Sequence, residues 1–138
     1  MLGIQATDLD HVSVLITDVE RSRRFYRDLL GLKEIAKPRT FTFIALWFEL
    51  GNQQLHLLLK EKPDVRSPRH FALRVHDVKA ARSYLRERDV KVDETTLIPG
   101  CDRFFVHDPD GNRIEIIQWL EPYDPTVSGA SELDAGIN

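Results

Sequence analysis

Residues 10–34 and 69–93 are two copies of one pattern. DHVSVLITDVERSRRFYRDLLGLKE lies over RHFALRVHDVKAARSYLRERDVKVD at a spacing of 59 residues, so that His11 falls on His70, Asp18 on Asp77, Val19 on Val78, Arg23 on Arg82 and Phe25 on Tyr84. Such a repeat confines the chain to folds made of two equivalent units, each burying the same apolar face in the same way. Each copy opens on an alternating run, which a strand divides between two faces. Each then passes through a D-V pair into a helical pattern. Asp18 and Asp77 are the expected N-caps, their carboxylates accepting backbone N–H groups that the first turn leaves unpaired. Val19, Phe25, Leu29 and Leu30 offer the first helix an apolar stripe; Val78, Ala81, Tyr84 and Leu85 offer it to the second.

Extended segments follow in both copies. The first is expected to have strands over Leu32–Ala36, Phe41–Leu50 and Gln53–Leu59, with Gly51-Asn52 as a hairpin turn. The second is expected to have them over Lys91–Glu94, Arg103–His107 and Arg113–Trp119, with Asp108-Pro109-Asp110-Gly111-Asn112 as the turn between the last two. The result is two βαβββ modules, about 8–60 and 67–120, in one α+β domain of curved mixed sheets around a concave site.

Length fits this reading, since 138 residues suit one domain. After Leu120 the chain reads EPYDPTVSGASELDAGIN, with no lysine or arginine and little apolar periodicity. Residues 121–138 are therefore expected to form an acidic, flexible tail. Its four acidic residues turn a net charge of −3 into +1 for the body when they are set aside. No concentrated positive field remains to bind nucleic acid. Arg21-Ser22-Arg23-Arg24 reads as the solvated face of an amphipathic helix. Apolar runs are too short to span a bilayer, and the opening MLGIQATDLDH does not resemble a secretory signal. A soluble, cytoplasmic protein without membrane or nucleic-acid partners is expected. Cys101, the single cysteine, excludes an intrachain disulfide; in a loop after Pro99-Gly100 it reads as an ordinary thiol.

Strand parity gives the repeat its chemical content. In the first strand Val12, Val14 and Ile16 oppose His11, Ser13 and Leu15; in the fourth, Leu55, Leu57 and Leu59 oppose Gln54, His56 and Leu58. In the second module Phe71, Leu73 and Val75 oppose His70, Ala72 and Arg74, while Ile114 and Ile116 oppose Arg113, Glu115 and Ile117. With the apolar sets facing the helices, His11, His56, His70 and Glu115 all project from the other face. One offset relates both pairs, His11 to His70 and His56 to Glu115. Three imidazoles and a carboxylate are a suitable ligand set for a divalent metal, whether iron, manganese, nickel, cobalt or zinc. An unpaired charge at Glu115, between two isoleucines, would be costly. His76 and His107, next to turns, read as rim residues.

LDHVSVLITDVERSRRFYRDLLGLK, QQLHLLL, RHFALRVHDV and FFVHDPDGNRIEII together resemble the vicinal oxygen chelate superfamily of glyoxalases, bleomycin-resistance proteins and extradiol dioxygenases. The resemblance runs from Leu9 to Trp119 and implies paired βαβββ modules with a divalent metal on the concave face. The superfamily's ligand positions carry over to His11, His56, His70 and Glu115. It also implies a homodimer in which first-module ligands of one subunit can meet second-module ligands of the other. The activity it suggests is a metal-dependent lyase or isomerase that stabilises an enediolate or related oxyanion of a small oxygenated substrate, with Glu115 as the catalytic base. Two alternatives stay open: an extradiol-type dioxygenase with His11, His70 and Glu115 on iron, and a non-catalytic small-molecule or antibiotic-binding module. Glyoxalase I carries an arginine four residues after the first ligand and an asparagine four after the second, where this chain has Leu15 and Lys60. Its glutathione hemithioacetal is therefore not the expected substrate. Phe43 and Trp47, alternating on the strand before His56, are expected to help bind substrate with Phe105, and Arg74 is the candidate anion reader. Arg103 and Arg113 read as strand-end salt bridges. No Ser-His-Asp arrangement, Walker loop or Rossmann fingerprint is present.

Overall fold

A computed structural model describes residues 3–128. Two compact units emerge, one made of the chain up to Arg69 together with His107–Arg113, the other of His70–Val106 and the chain from Ile114 onward.

The first unit holds β1 (His11–Ile16), α1 (Val19–Arg23), β2 (Lys33–Ile35), β3 (Ala45–Leu50) and β4 (Gln53–Leu59). Its sheet runs β1-β4-β3-β2, with β1 parallel to β4 and the other neighbours antiparallel. Val12, Val14 and Ile16 lie in register with Leu55, Leu57 and Leu59, and Leu46 and Phe48 pair with Leu57 and Leu55, so the middle of one face is apolar, with Glu34 and Gln53 at its margin. Ile16, Phe48, Leu55 and Leu57 are sealed from water, each contributing ~1.5–3 kcal/mol by the usual transfer scale. Asp18 caps α1 by accepting from the Arg21 N–H at 2.9 Å. Beyond Arg23 the helix widens into a π-helical stretch, Arg24–Leu29, with Leu30 N–H bonded to the Phe25 carbonyl. Widening lets consecutive residues, Phe25 and Tyr26, both turn inward, and Tyr26 meets Phe48 with ring centroids 6.0 Å apart.

The Asp108–Asn112 turn belongs to this unit and is more than a chain reversal. Buried Asp108 accepts from Tyr26 Oη at 2.6 Å, from the Asp110 and Asn112 backbone N–H groups, and from Asn112 Nδ2. Asn112 also donates to the Leu15 carbonyl, and Asp110 receives Thr17 and Arg21. Gly111 turns with φ +86°, a left-handed conformation that glycine adopts without penalty.

The second unit holds β5 (His70–Arg74), α2 (Val78–Glu87), β6 (Asp93–Glu94), β7 (Cys101–His107), β8 (Arg113–Trp119) and α3 (Pro125–Ser128). Its sheet order, β5-β8-β7-β6, repeats that of the first strand for strand. Asp77 caps α2 from the Ala80 N–H at 3.0 Å. Phe104, Val106 and Ile114 are fully buried, and the Arg82 guanidinium of α2 lies 5.0 Å from the Phe104 ring centroid. Among the described residues, no helix is long and apolar enough to cross a membrane.

Several expected segments differ from the observed ones, β2 and β6 being shorter than Leu32–Ala36 and Lys91–Glu94. β3 begins at Ala45, not Phe41: the Phe41 N–H turns back to the Pro38 carbonyl, and its ring stacks on Phe43 rather than extending the ladder. Phe43 therefore precedes the strand that carries Trp47. β7 begins at Cys101, which is buried at the strand start rather than in a loop. β5 ends at Arg74, so Val75, read with the apolar set of that strand, follows it. Of the expected tail, Glu121 bonds to the Gly100 carbonyl, Tyr123 meets Trp119 edge-on, and Pro125–Ser128 is helical; 129–138 lie outside the described residues.

Candidate metal centre

The register of the first sheet brings two imidazoles together. β1 and β4 are parallel neighbours with Ser13 opposite His56, so His11 stands diagonally beside it on the same face. Their rings stack with centroids 4.3 Å apart. On the other side of His56, Trp47 is its antiparallel partner and stacks at 3.7 Å with planes 10° apart. Phe41 abuts Trp47 edge-on, and Phe43, half exposed, covers Phe41. His56 is thus held flat between an indole and a second imidazole.

Each ring has one nitrogen already oriented. His11 Nδ1 donates to Asp10 Oδ1 at 2.8 Å, and His56 Nε2 donates to Gln54 Oε1 at 2.8 Å. In a neutral ring held this way the opposite nitrogen carries the lone pair, which is how a polar partner prepares a histidine to ligate a cation. Burial, and secondarily the neighbouring His11, push the His56 imidazole below its ordinary value of 6.5. A neutral ring is the ligating form. Asp10 and Gln54 were not singled out by the repeat, although each lies within two residues of the histidine it orients.

The second unit contributes the other pair. His70 Nε2 lies 3.0 Å from Glu115 Oε1, joining edge strand β5 to its neighbour β8. Glu115 is buried, with its side chain 8% exposed, and the His70 contact gives its carboxylate a polar partner between two isoleucines. Phe105 packs edge-to-face on His70 with centroids 4.9 Å apart. Arg103, on the same face of β7 as Phe105, approaches Glu115 Oε1 to 3.6 Å. Its side chain is 15% exposed, which its reading as a strand-end bridge did not anticipate. The spacing of Arg103 and Phe105, two residues apart on one strand, is the signal that could have found it. Arg74 is exposed at the end of β5. Burial raises the Cys101 thiol above its usual range, which disfavours the nucleophilic thiolate.

The four expected ligands thus occur as two pairs, each inside its own unit. Among the described residues no three His, Cys, Asp or Glu side chains gather into a single cluster. The donor chemistry of the pairs fits a divalent cation: two imidazoles in one, an imidazole and a carboxylate in the other.

Comparison with known proteins agrees with this architecture. Residues 8–116 match the model of the glyoxalase/bleomycin resistance protein/dioxygenase superfamily. Glyoxylase I 4 of Arabidopsis thaliana is 29% identical over 124 residues, covering 82% of this chain and 71% of its own. A Synechocystis protein named Probable lactoylglutathione lyase is 29% identical over 126 residues, covering 78% of this chain and 92% of its own. Among solved structures, a glyoxalase-family protein of Bacillus anthracis superposes with a TM-score of 0.79 at 29% identity, covering 86% of this chain and 99% of that one. With the family match spanning most of both repeats, the chain belongs to the glyoxalase/bleomycin resistance protein/dioxygenase superfamily.

Proposed function

We propose that the protein is a divalent-metal-dependent lyase or isomerase acting on a small substrate with neighbouring oxygens. His11, His56, His70 and Glu115 would hold the metal, and Glu115 would move the proton. The observation that carries this reading is the paired arrangement: equivalent edge and neighbouring strands of two sheets of one order each present two donors on one face. A bound cation would supply Lewis-acid polarisation of the substrate oxygens. Glu115 suits the transfer of a proton between adjacent carbons, because it is the buried carboxylate of the set and is held by neighbours rather than by bulk water. Trp47, with Phe41 and Phe43 beyond it, forms an aromatic flank to His56, and Phe105 flanks His70. These rings would exclude water from a reacting carbon.

The relatives named for glyoxalase I and lactoylglutathione lyase support lyase chemistry as a class. Leu15 and Lys60, standing where glyoxalase I has its arginine and asparagine, favour a substrate other than the glutathione hemithioacetal. A homodimer is part of the proposal, because β1 and β5 are sheet edges and each carries a ligand. In it, His11 and His56 of one subunit would complete a site with His70 and Glu115 of the partner.

Glu115→Gln tests the function. It keeps size and removes the charge and the base, so proton-exchange turnover on a panel of hydroxy-carbonyl compounds is expected to fall by about a hundredfold or more. Unchanged turnover in that variant would refute the assignment. Sedimentation over a concentration series tests the dimer; a monomer with undiminished metal affinity would eliminate the shared site.

A further inference from the structure

We propose that Arg103 reads an anionic group on the substrate, so that the site selects organic acids such as 2-hydroxy or 2-oxo carboxylates over neutral diols and ketols. The inference rests on the reading of Glu115 as a metal ligand given above. Two arginines of the second unit, equally buried, make the comparison. Arg82, 15% exposed, spends its N–H groups on Glu94 and Asp102 in contacts of 2.7–3.3 Å and lies against Phe104. That is how a structural guanidinium is satisfied in this fold. Among the described residues the Arg103 side chain, also 15% exposed, makes one hydrogen bond, from Nη2 to the Thr96 carbonyl at 2.9 Å. Its Nε is buried without a hydrogen-bond partner among the described residues, and the Glu115 carboxylate oxygen is 3.6 Å from Nη1. That oxygen also faces His70 at 3.0 Å. A guanidinium withdrawn from water with unspent donors is costly unless a ligand completes it.

Charge counting gives the ligand its sign. One carboxylate set against a dication and a guanidinium leaves positive charge in excess, and a cation that engages Glu115 would compete for the carboxylate that the Arg103 guanidinium faces at 3.6 Å. A carboxylate supplies what is missing and matches the planar fork of arginine. Phe105, with the Arg103 guanidinium 5.7 Å from its ring centroid, helps fix the direction of that fork.

The test uses mandelate and its neutral isostere mandelamide, titrated calorimetrically into zinc-loaded and chelator-treated protein, with metal content measured in parallel. Arg103→Met is expected to weaken mandelate by about tenfold or more, the value of a charge-assisted hydrogen bond. Mandelamide should change less than about twofold, within ordinary context effects. Arg103→Lys, which keeps the charge but not the fork, should fall between. Equal weakening of both compounds, or of neither, overturns the proposal. Failure of the wild type to hold zinc would refute the metal centre instead, and discrimination between the two compounds by the chelator-treated protein would still decide Arg103.

Discussion

Tyr26→Phe removes a single oxygen from the interior of the first unit, and the structure prescribes its cost. The Tyr26 hydroxyl is one of four donors to Asp108, at 2.6 Å, beside two backbone N–H groups and Asn112 Nδ2 at 2.8–2.9 Å. Tyr26 is 0% and Asp108 5% exposed, so no solvent replaces the lost donor. The ring itself stays packed against Phe25 and Phe48. What disappears is a hydrogen bond to a carboxylate, worth ~1.5–3 kcal/mol. For a domain of this size that lowers Tm by about 5–10 °C. Urea unfolding should show a reduced midpoint with unchanged m. Burial first, and then Asp108, hold the Tyr26 phenol well above its usual 10.0. That contribution is full below 10.0 and is lost as pH rises through the folded-state value. Alkaline destabilisation beyond pH 10.0 should therefore be shallower in the variant. A loss below about 0.5 kcal/mol, the range of neutral surface changes, with an unaltered alkaline limb, would refute the claim that this turn is anchored through Tyr26.

Two further predictions follow from charged groups. His56, held below 6.5 chiefly by burial, stays neutral while the unfolded chain takes up a proton, so stability is full above 6.5 and falls as pH drops toward the folded-state value. His56→Gln should flatten that acid limb in urea unfolding, and an identical pH dependence would contradict it. Arg82 holds Asp102 below the usual carboxylate range. Arg82→Met should cost ~1 kcal/mol, less in high salt, and should be non-additive with Asp102→Asn in a double-mutant cycle.

Much of the fold was legible because a repeat is long-range information written locally. The equivalence of the two copies predicts two sheets of one strand order, and the caps at Asp18 and Asp77 need only the D-V step to be seen. Parity puts His11 and His56 on one face, and the β1–β4 register, which parity does not give, sets their rings side by side. What failed depends on partners that periodicity does not name. Phe41 to Ile44 alternate in apolar character like a strand, yet the Phe41 N–H is spent on Pro38. The Asp108–Asn112 segment reads as a turn, but that its first carboxylate is buried and also accepts from Tyr26, distant in sequence, is not written in the local pattern. Arg103 looks like any strand-end arginine until the adjoining Glu115 and Phe105 are seen to surround it.

The central claim is that one divalent metal is held jointly by two histidines of the first repeat and a histidine and a glutamate of the second. Elemental analysis of tag-free protein purified without chelator, followed by metal titration of the apo form of wild type and of His11→Ala, His56→Ala, His70→Ala and Glu115→Gln, tests it directly. The wild type is expected to hold one ion tightly per chain, with affinity that declines as acid protonates the imidazoles and weaker binding in all four variants. A wild type that holds no divalent metal, or an affinity that survives loss of both His11 and His56, would contradict it.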